Sequence, residues 1–160
     1  MESDQPLQEL IWDLGRVYYA YVGLAERVLI DAGLDHIIRP GMGHVLFALY
    51  EEDGRTIKEI AARSQLANST LTGLLNRMEK VRLIKRQRDE QDGRLVRVHL
   101  TALARKLESK CRAMVRQVTE VAHEGVGEKN VPRAKELLRG LTSAFREAEQ
   151  QMSLKQRSRA

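Results

Sequence analysis

Cysteine, proline and aromatic residues are all scarce in this chain of 160 residues: one Cys, three Pro, and 4% Phe, Trp and Tyr together. A single Cys forms no internal disulfide, which fits a reducing compartment and an expected cytoplasmic location. The shortage of aromatics argues against a β-sandwich, whose strands favour aromatic and β-branched side chains. No apolar run reaches the roughly 18 residues that cross a bilayer as a helix, so no membrane partner is expected. The opening MESDQPLQEL is acidic and lacks an apolar core, so a signal peptide is not expected there. Gly41–His44 reads GMGH but lacks the spacing of a phosphate loop and follows no strand. No nucleophile elbow or paired-carboxylate site is apparent, so neither an enzyme nor a cofactor is expected. His36, His44, His99 and His123 are scattered without ligand spacing, so no metal is expected.

What the chain does have is charge and helix formers. It is 42% hydrophobic and 31% charged, with a net charge of +5. The charge is uneven. Residues 1–54 carry 3 basic and 10 acidic side chains, residues 55–101 carry 11 and 5, and residues 102–160 carry 13 and 7. A basic block beside an acidic one points to a polyanion partner for part of the chain; the alternative is a solvated charged face.

Apolar periodicity gives the organisation. Leu7, Ile11, Leu14, Tyr18, Tyr21, Ala25 and Val28 alternate four and three apart, the seam of one helix over residues 6–33. Asp4 can cap it, with Pro6 in its first turn, and Gly33 can end it. Residues 34–41 read as a connection. Short helices follow over 42–52 and 57–63, with a turn at Asp53-Gly54 and a break at 64–67. Asn68 reads as the cap of a further helix to about Val81, with Leu71, Leu74, Leu75 and Met78 inward. Residues 83–88 and 95–100 alternate apolar and polar with period two, the pattern of strands, around a turn at Gly93. Leu100, Ala104, Leu107, Cys111, Met114, Val118 and Val121 mark another helix, broken at Gly125 and Gly127. Ala134, Leu138, Leu141, Phe145, Ala148 and Met152 mark the last, with a frayed basic end from Ser153. The small central block cannot cover such long seams, so pairing with a second chain is expected.

The expected fold is mainly α with a small β-hairpin: a winged helix-turn-helix over 36–101, flanked by helical dimerisation regions over 1–35 and 102–160. A helix fits the major groove of double-stranded DNA, and small polar side chains let it approach base edges. Ser69, Thr70, Thr72 and Asn76 are such side chains, and Asn pairs with adenine in a bidentate way. Arg77 and Lys80 suit phosphates. The hairpin adds Lys85, Arg86, Arg88, Arg94 and Arg97. Arg94 at the tip can enter a narrow minor groove, with Asp92 close enough to hold its guanidinium; the alternative is a turn ion pair alone.

These residues carry a resemblance. Residues 45–101 resemble the MarR family of transcriptional regulators, through Leu83-Ile84 with Arg86, Asp92-Gly93-Arg94, and Val98-His99-Leu100-Thr101. The resemblance implies a homodimeric repressor on a pseudo-palindromic operator, with recognition helices in grooves about 34–36 Å apart. It assigns DNA contact to Ser69, Thr70, Thr72, Asn76 and Arg77, with Arg94 in the wing. Gln65 stands where many relatives have Gly, Gly93 replaces a frequently basic wing residue, and Gly73 leaves one contact position without a side chain.

The resemblance also implies release by a small aromatic or phenolic effector. Its pocket would draw on Tyr18, Tyr21, His36, Arg39, Met42, His44 and Phe47, although Tyr18 and Tyr21 also read as seam residues of a core. Cys111 sits on an apolar seam and reads as a buried, inert thiol rather than a redox sensor. The alternative function is an architectural DNA-binding protein without ligand-regulated release; another is a winged helix that binds protein instead.

Overall fold

The 6–33 seam forms a single helix, α1, Gln5–Asp31, in a computed structural model that describes residues 5–157 and the side chains of 9–156. The expected cap Asp4 lies outside the described residues, as do the side chains of Pro6 and Leu7. Gly33, at φ +66°, turns the chain out of the helix, and the Leu34 N–H donates to the Leu29 carbonyl at 2.9 Å. That left-handed closure suits glycine, which has no Cβ to clash.

The remaining order is α2 Met42–Glu51, β1 Arg55–Thr56, α3 Ile57–Ser64, α4 Asn68–Lys80, β2 Ile84–Arg88, β3 Val96–Leu100, α5 Ala102–Val126, a 3₁₀ turn Glu128–Asn130 and α6 Val131–Arg157. The chain divides after Val118 into two units. In the second, Gly127 at φ +75° breaks the helical path before the 3₁₀ turn. The chain is thus mainly helical, with a small antiparallel sheet of order β1-β3-β2.

In the first unit, α2, α3, α4 and the sheet close over one core. Val45, Ile60, Met78, Leu83, Val98 and Ala104 have no exposed surface. The inward set expected for α4, Leu71, Leu74, Leu75 and Met78, is buried as a group. Ala104 and Cys111 of the α5 seam join this core, with Leu107 and Met114 packed at its edge. Burying such a set is the main force holding the block together, at about 25 cal/mol per Å² of apolar surface removed from water.

Polar groups fix the joints. The Thr56 hydroxyl accepts from the Glu59 N–H at 3.3 Å, while the Glu59 carboxylate accepts from the Thr56 N–H at 2.7 Å. This reciprocal cap starts α3 and holds the Glu59 carboxyl below its ordinary range, chiefly through that backbone N–H. Asp53 ties the sheet to α5: it accepts from the Leu100 N–H at 2.7 Å and from Arg105 at 2.6 Å. Thr101 ties the hairpin base to the same helix. Its hydroxyl donates to the Arg82 carbonyl at 2.6 Å and accepts from the Ala104 N–H at 3.3 Å.

Several expectations are corrected. Strand β1 was not anticipated, because two residues are too few to show a period; they pair with Arg97 and Val98. The cap of α4 is Ala67 rather than Asn68, which is already the first helical residue, and no side chain caps this end. The basic end does not fray at Ser153, since α6 continues to Arg157. Tyr18 and Tyr21, which read as core, are exposed, and among the described residues of α1 only Val28 and Leu29 are buried.

Candidate nucleic-acid interface

Helix α4 presents an outer face of small and polar residues because its apolar positions all turn inward. Ser69, Thr70, Thr72, Asn76, Arg77 and Lys80 are exposed on it. Among the described residues the Ser69 and Thr70 hydroxyls have no internal partner. Thr72 donates to the Asn68 carbonyl at 2.8 Å, and its oxygen keeps acceptor capacity. Arg77 leans back on its own helix, with Nε donating to the Gly73 carbonyl at 3.3 Å, which leaves its terminal nitrogens to solvent.

The wing sorts its cations into two kinds. Arg97 is held within the fold: it pairs with the Asp89 carboxylate and donates to the Gly54 carbonyl at 2.9 Å. Asp89 organises the turn as well, accepting from the N–H groups of Gln91 and Asp92, each at 2.8 Å. The Asp92 N–H, then Arg97, then the Gln91 N–H pull the Asp89 carboxyl down to about 2. Lys85, Arg88 and Arg94 are exposed, with no internal partner for their charged ends among the described residues.

Asp92 does not hold the Arg94 guanidinium, as the spacing had suggested. Its carboxylate folds back to accept the Arg94 backbone N–H at 3.0 Å. A short acidic side chain in a turn competes for nearby backbone donors, and here it wins that local bond. The tip backbone is therefore shaped by Asp89 and Asp92, while the Arg94 side chain is left to reach outward.

Arg86 joins the two parts of the interface. One terminal nitrogen donates to Glu79 at 2.9 Å and the other to the Asn76 Oδ1 at 2.8 Å. Glu79 and Asp89 were not singled out from the sequence, and Asp53 was read only as a turn residue. The Thr-x-x-Glu spacing at Thr56–Glu59 is a readable cap signature, but ion pairs between elements leave no periodic trace.

The remaining candidates do not converge on one described cavity. Met42 is 2% exposed and part of the core. His36, Arg39 and His44 are exposed, with the His36 Nδ1 at 3.9 Å from Asp35. Phe47 meets Tyr50 edge-to-face at 5.7 Å, and the Arg112 guanidinium lies over both rings. Cys111 is 5% exposed; burial pushes its thiol up, away from the thiolate that redox chemistry uses. Tyr50, whose hydroxyl donates to the Ala104 carbonyl at 2.9 Å, is likewise pushed up by burial. Among the described residues no cluster of His, Cys, Asp and Glu could hold a metal, and no helix is long and apolar enough to cross a membrane.

Comparison with known proteins agrees with this geometry. Residues 39–96 match the model of the MarR family. The HTH-type transcriptional regulator TtmR of Methylorubrum extorquens is 44% identical over 66 residues, 41% of this chain and 34% of that protein. The match spans only about a third of that relative's length. Among solved structures, Bordetella bronchiseptica BpsR, described for regulation of its DNA binding by 6-hydroxynicotinic acid, superposes with a TM-score of 0.68 at 21% identity. That match covers 84% of this chain and 98% of BpsR. Reduced AbfR bound to DNA superposes with a TM-score of 0.71 at 22% identity, covering 91% and 99%. At such identities these two structures speak for the fold. Residues 39–96, which hold the helix-turn-helix and the wing as far as Val96, thus match the MarR family, and the two structures share the fold of the chain around them.

Proposed function

We propose that this chain is a sequence-specific DNA-binding transcriptional regulator, a homodimeric repressor that a small aromatic or phenolic ligand releases from its operator. The observation that carries this reading is the outer face of α4, with unpartnered hydroxyls at Ser69 and Thr70, beside a wing whose Arg94 side chain is free. The α4 face suits the major groove. Arg94 suits the minor groove, where a narrow A·T-rich segment concentrates negative potential. Lys80, Lys85 and Arg88 supply phosphate contacts that set register without reading sequence. TtmR's description as a transcriptional regulator supports the reading, as does the AbfR structure with DNA.

Dimerisation rests on apolar surface. The outer part of α1 exposes Trp12 at 67% and Tyr19 at 75%, beside Ile11, Val17 and Tyr18. In the second unit α6 exposes Leu137, Leu138, Phe145 and Met152. Helices that leave such stripes in water are stabilised by a second copy. Residues 1–35 and 102–160 are thus the dimerisation regions, and 36–101 the DNA-binding region, of a protein that works in the cytoplasm. Ligand release is supported by the effector described for BpsR; Tyr18, Tyr21, His36, Arg39 and His44 are the candidate contacts, while Met42 is taken up by the core.

The test is selection of bound sequences from a random duplex pool, followed by affinity measurements across a salt series. A regulator enriches an inverted repeat whose half-site centres lie about one helical turn apart. A steep salt slope without any enriched sequence would assign the chain to the architectural class instead.

A further inference from the structure

By position Arg77 belongs to the last turn of α4, where a cation suits a phosphate. Its guanidinium does not lie there. Nε donates to the Gly73 carbonyl at 3.3 Å, so the side chain runs back toward the start of the helix, the direction in which long helical side chains point. Four residues of rise carry the charge about 6 Å along the helix from its own backbone. It also moves sideways. At about 100° per residue, Gly73 lies almost opposite the buried set Leu71, Leu74, Leu75 and Met78, whereas Arg77 is rooted nearer the edge of the outer face. The charge thus rests near the middle of that face, level with Gly73 and flanked by the exposed Ser69, Thr72 and Asn76.

Gly73 makes this placement possible. Glycine inside a helix is less stable than alanine, and the backbone does not demand it here, since Gly73 is helical and has no positive φ. A Cβ added at Gly73 would meet one atom beyond the local helix backbone within 4 Å, the Arg77 Nη2 at 3.8 Å. The space that a longer side chain at 73 would fill is therefore the space beside which the guanidinium lies. Among the described residues the two terminal nitrogens of Arg77 have no internal partner, and the residue is exposed. With Nε engaged on the helix, that terminal pair is what Arg77 has to offer a ligand. Two parallel donors match guanine O6 and N7, which lie side by side in the major groove.

We propose that Gly73 is the seat of Arg77: having no side chain, it lets Arg77 bring its two terminal nitrogens to the middle of the groove-facing surface, where they read a guanine instead of a phosphate. Arg77 is then a specificity-determining residue and Gly73 a positioning one. This deepens the DNA-binding reading above and rests on it. The backward run of the side chain carries the guanidinium toward the N-terminal part of the helix, from which recognition helices contact base edges. The bare backbone at Gly73 also leaves room for the base edge to approach.

The experiment is selection of bound duplexes from a random pool by the full chain and by Arg77→Lys, Arg77→Ala, Gly73→Ala and Gly73→Leu. Each fold is checked by circular dichroism, and affinity is measured across a salt series. The wild-type chain is expected to prefer guanine at one position per half-site by about tenfold. Arg77→Lys keeps the charge but replaces the fork by a single ammonium point, so it should erase that preference and spare the others. Arg77→Ala should erase the same preference. Gly73→Ala adds only a methyl at ordinary contact distance from Nη2 and should keep it. Gly73→Leu fills the seat and should erase it; if leucine bars the duplex altogether, the Arg77 variants carry the result. A guanine preference that survives unchanged in Arg77→Lys would overturn the inference. So would an Arg77→Ala chain that binds all sequences more weakly by the same factor, with a salt slope smaller by about one, the mark of a lost phosphate contact. A Gly73→Leu profile identical to wild type would do the same, and each of these results leaves the DNA-binding reading intact. Absence of enrichment by any of the proteins, with no affinity at low salt, would overturn the DNA-binding reading itself.

Discussion

Residues 42–101 bury Val45, Leu46, Ile60, Leu75, Met78, Leu83 and Val98 almost completely, while the outer part of α1 leaves Leu10, Ile11, Trp12, Val17, Tyr18 and Tyr19 in solvent. Both regions show clear apolar periodicity in the sequence. The difference is what each has to pack against. The short helices and strands of the block face one another at close quarters, whereas among the described residues of α1 only Val28 and Leu29 are buried. A seam therefore reports which face of a helix is apolar but not which molecule covers it. The block holds itself; the outer part of α1 keeps apolar side chains in solvent.

The largest effect should come from attacking the self-sufficient side. Leu46→Ala removes a side chain that is 1% exposed, and should cost about 2–5 kcal/mol by chemical denaturation. Next in size is the association itself. Trp12→Glu combined with Tyr19→Glu should abolish self-association at micromolar concentration in sedimentation. In dilute solution it should change the stability of the folded chain by less than about 0.5 kcal/mol per site, as exposed substitutions do. If the α1 pair unfolded the chain as strongly as Leu46→Ala, the contrast between the regions would collapse.

The same contrast recurs on a smaller scale between two arginines of the wing. Arg94→Ala should lower DNA affinity about tenfold, the size of one lost groove contact, with no change in thermal unfolding. Arg97→Ala should do the reverse in kind and destabilise the wing turn, because Asp89 and the Gly54 carbonyl lose their partner. Equal losses of affinity at matched stability would show that the two side chains are not so divided. Acid gives a further reading. The Asp89 carboxyl lies at about 2, below its ordinary 3.8. Its stabilising contribution is complete above about pH 4 and is lost as pH falls through about 2. Arg97→Ala should flatten that part of the acid titration of stability; an unchanged acid limb would remove Asp89 from the account.

The smallest effect sharpens where the block carries strain. Gln65 sits at φ +52°, in the left-handed region, at the end of α3. Gln65→Gly should stabilise by up to about 1 kcal/mol, the left-handed cost relieved less the extra entropy that glycine loses on folding. A destabilised variant would mean that the Gln side chain contributes more than its backbone costs.

Much of this was readable in advance, for reasons that differ by residue. Leu71, Leu74, Leu75 and Met78 repeat at helical spacing, so the face α4 buries, and by subtraction the face it shows, follow from the chain. The period-two strands and the Asp92-Gly93-Arg94 turn were legible in the same way. The division of labour among the charges was not. Arg94 and Arg97 look alike in a sequence, and only folding brings Asp89 and the Gly54 carbonyl to the second and neither to the first. Nor does the chain show that Arg86, ten residues on, reaches the Asn76 amide oxygen. Tyr18 and Tyr21 were legible as apolar-face residues, but their exposure was not, because a seam does not say what packs against it.

The joint at Thr101 sets how the hairpin answers to its surroundings. The hydroxyl that caps the start of α5 also grips the Arg82 carbonyl at the base of the wing, and Asp53 clasps both Leu100 and Arg105 beside it. With hydrogen bonds on both sides of the junction, there is no slack hinge where strand becomes helix. The base of the wing and the first turn of α5 therefore share their side-chain anchors, so that a substitution at Thr101 or Asp53 touches strand and helix together.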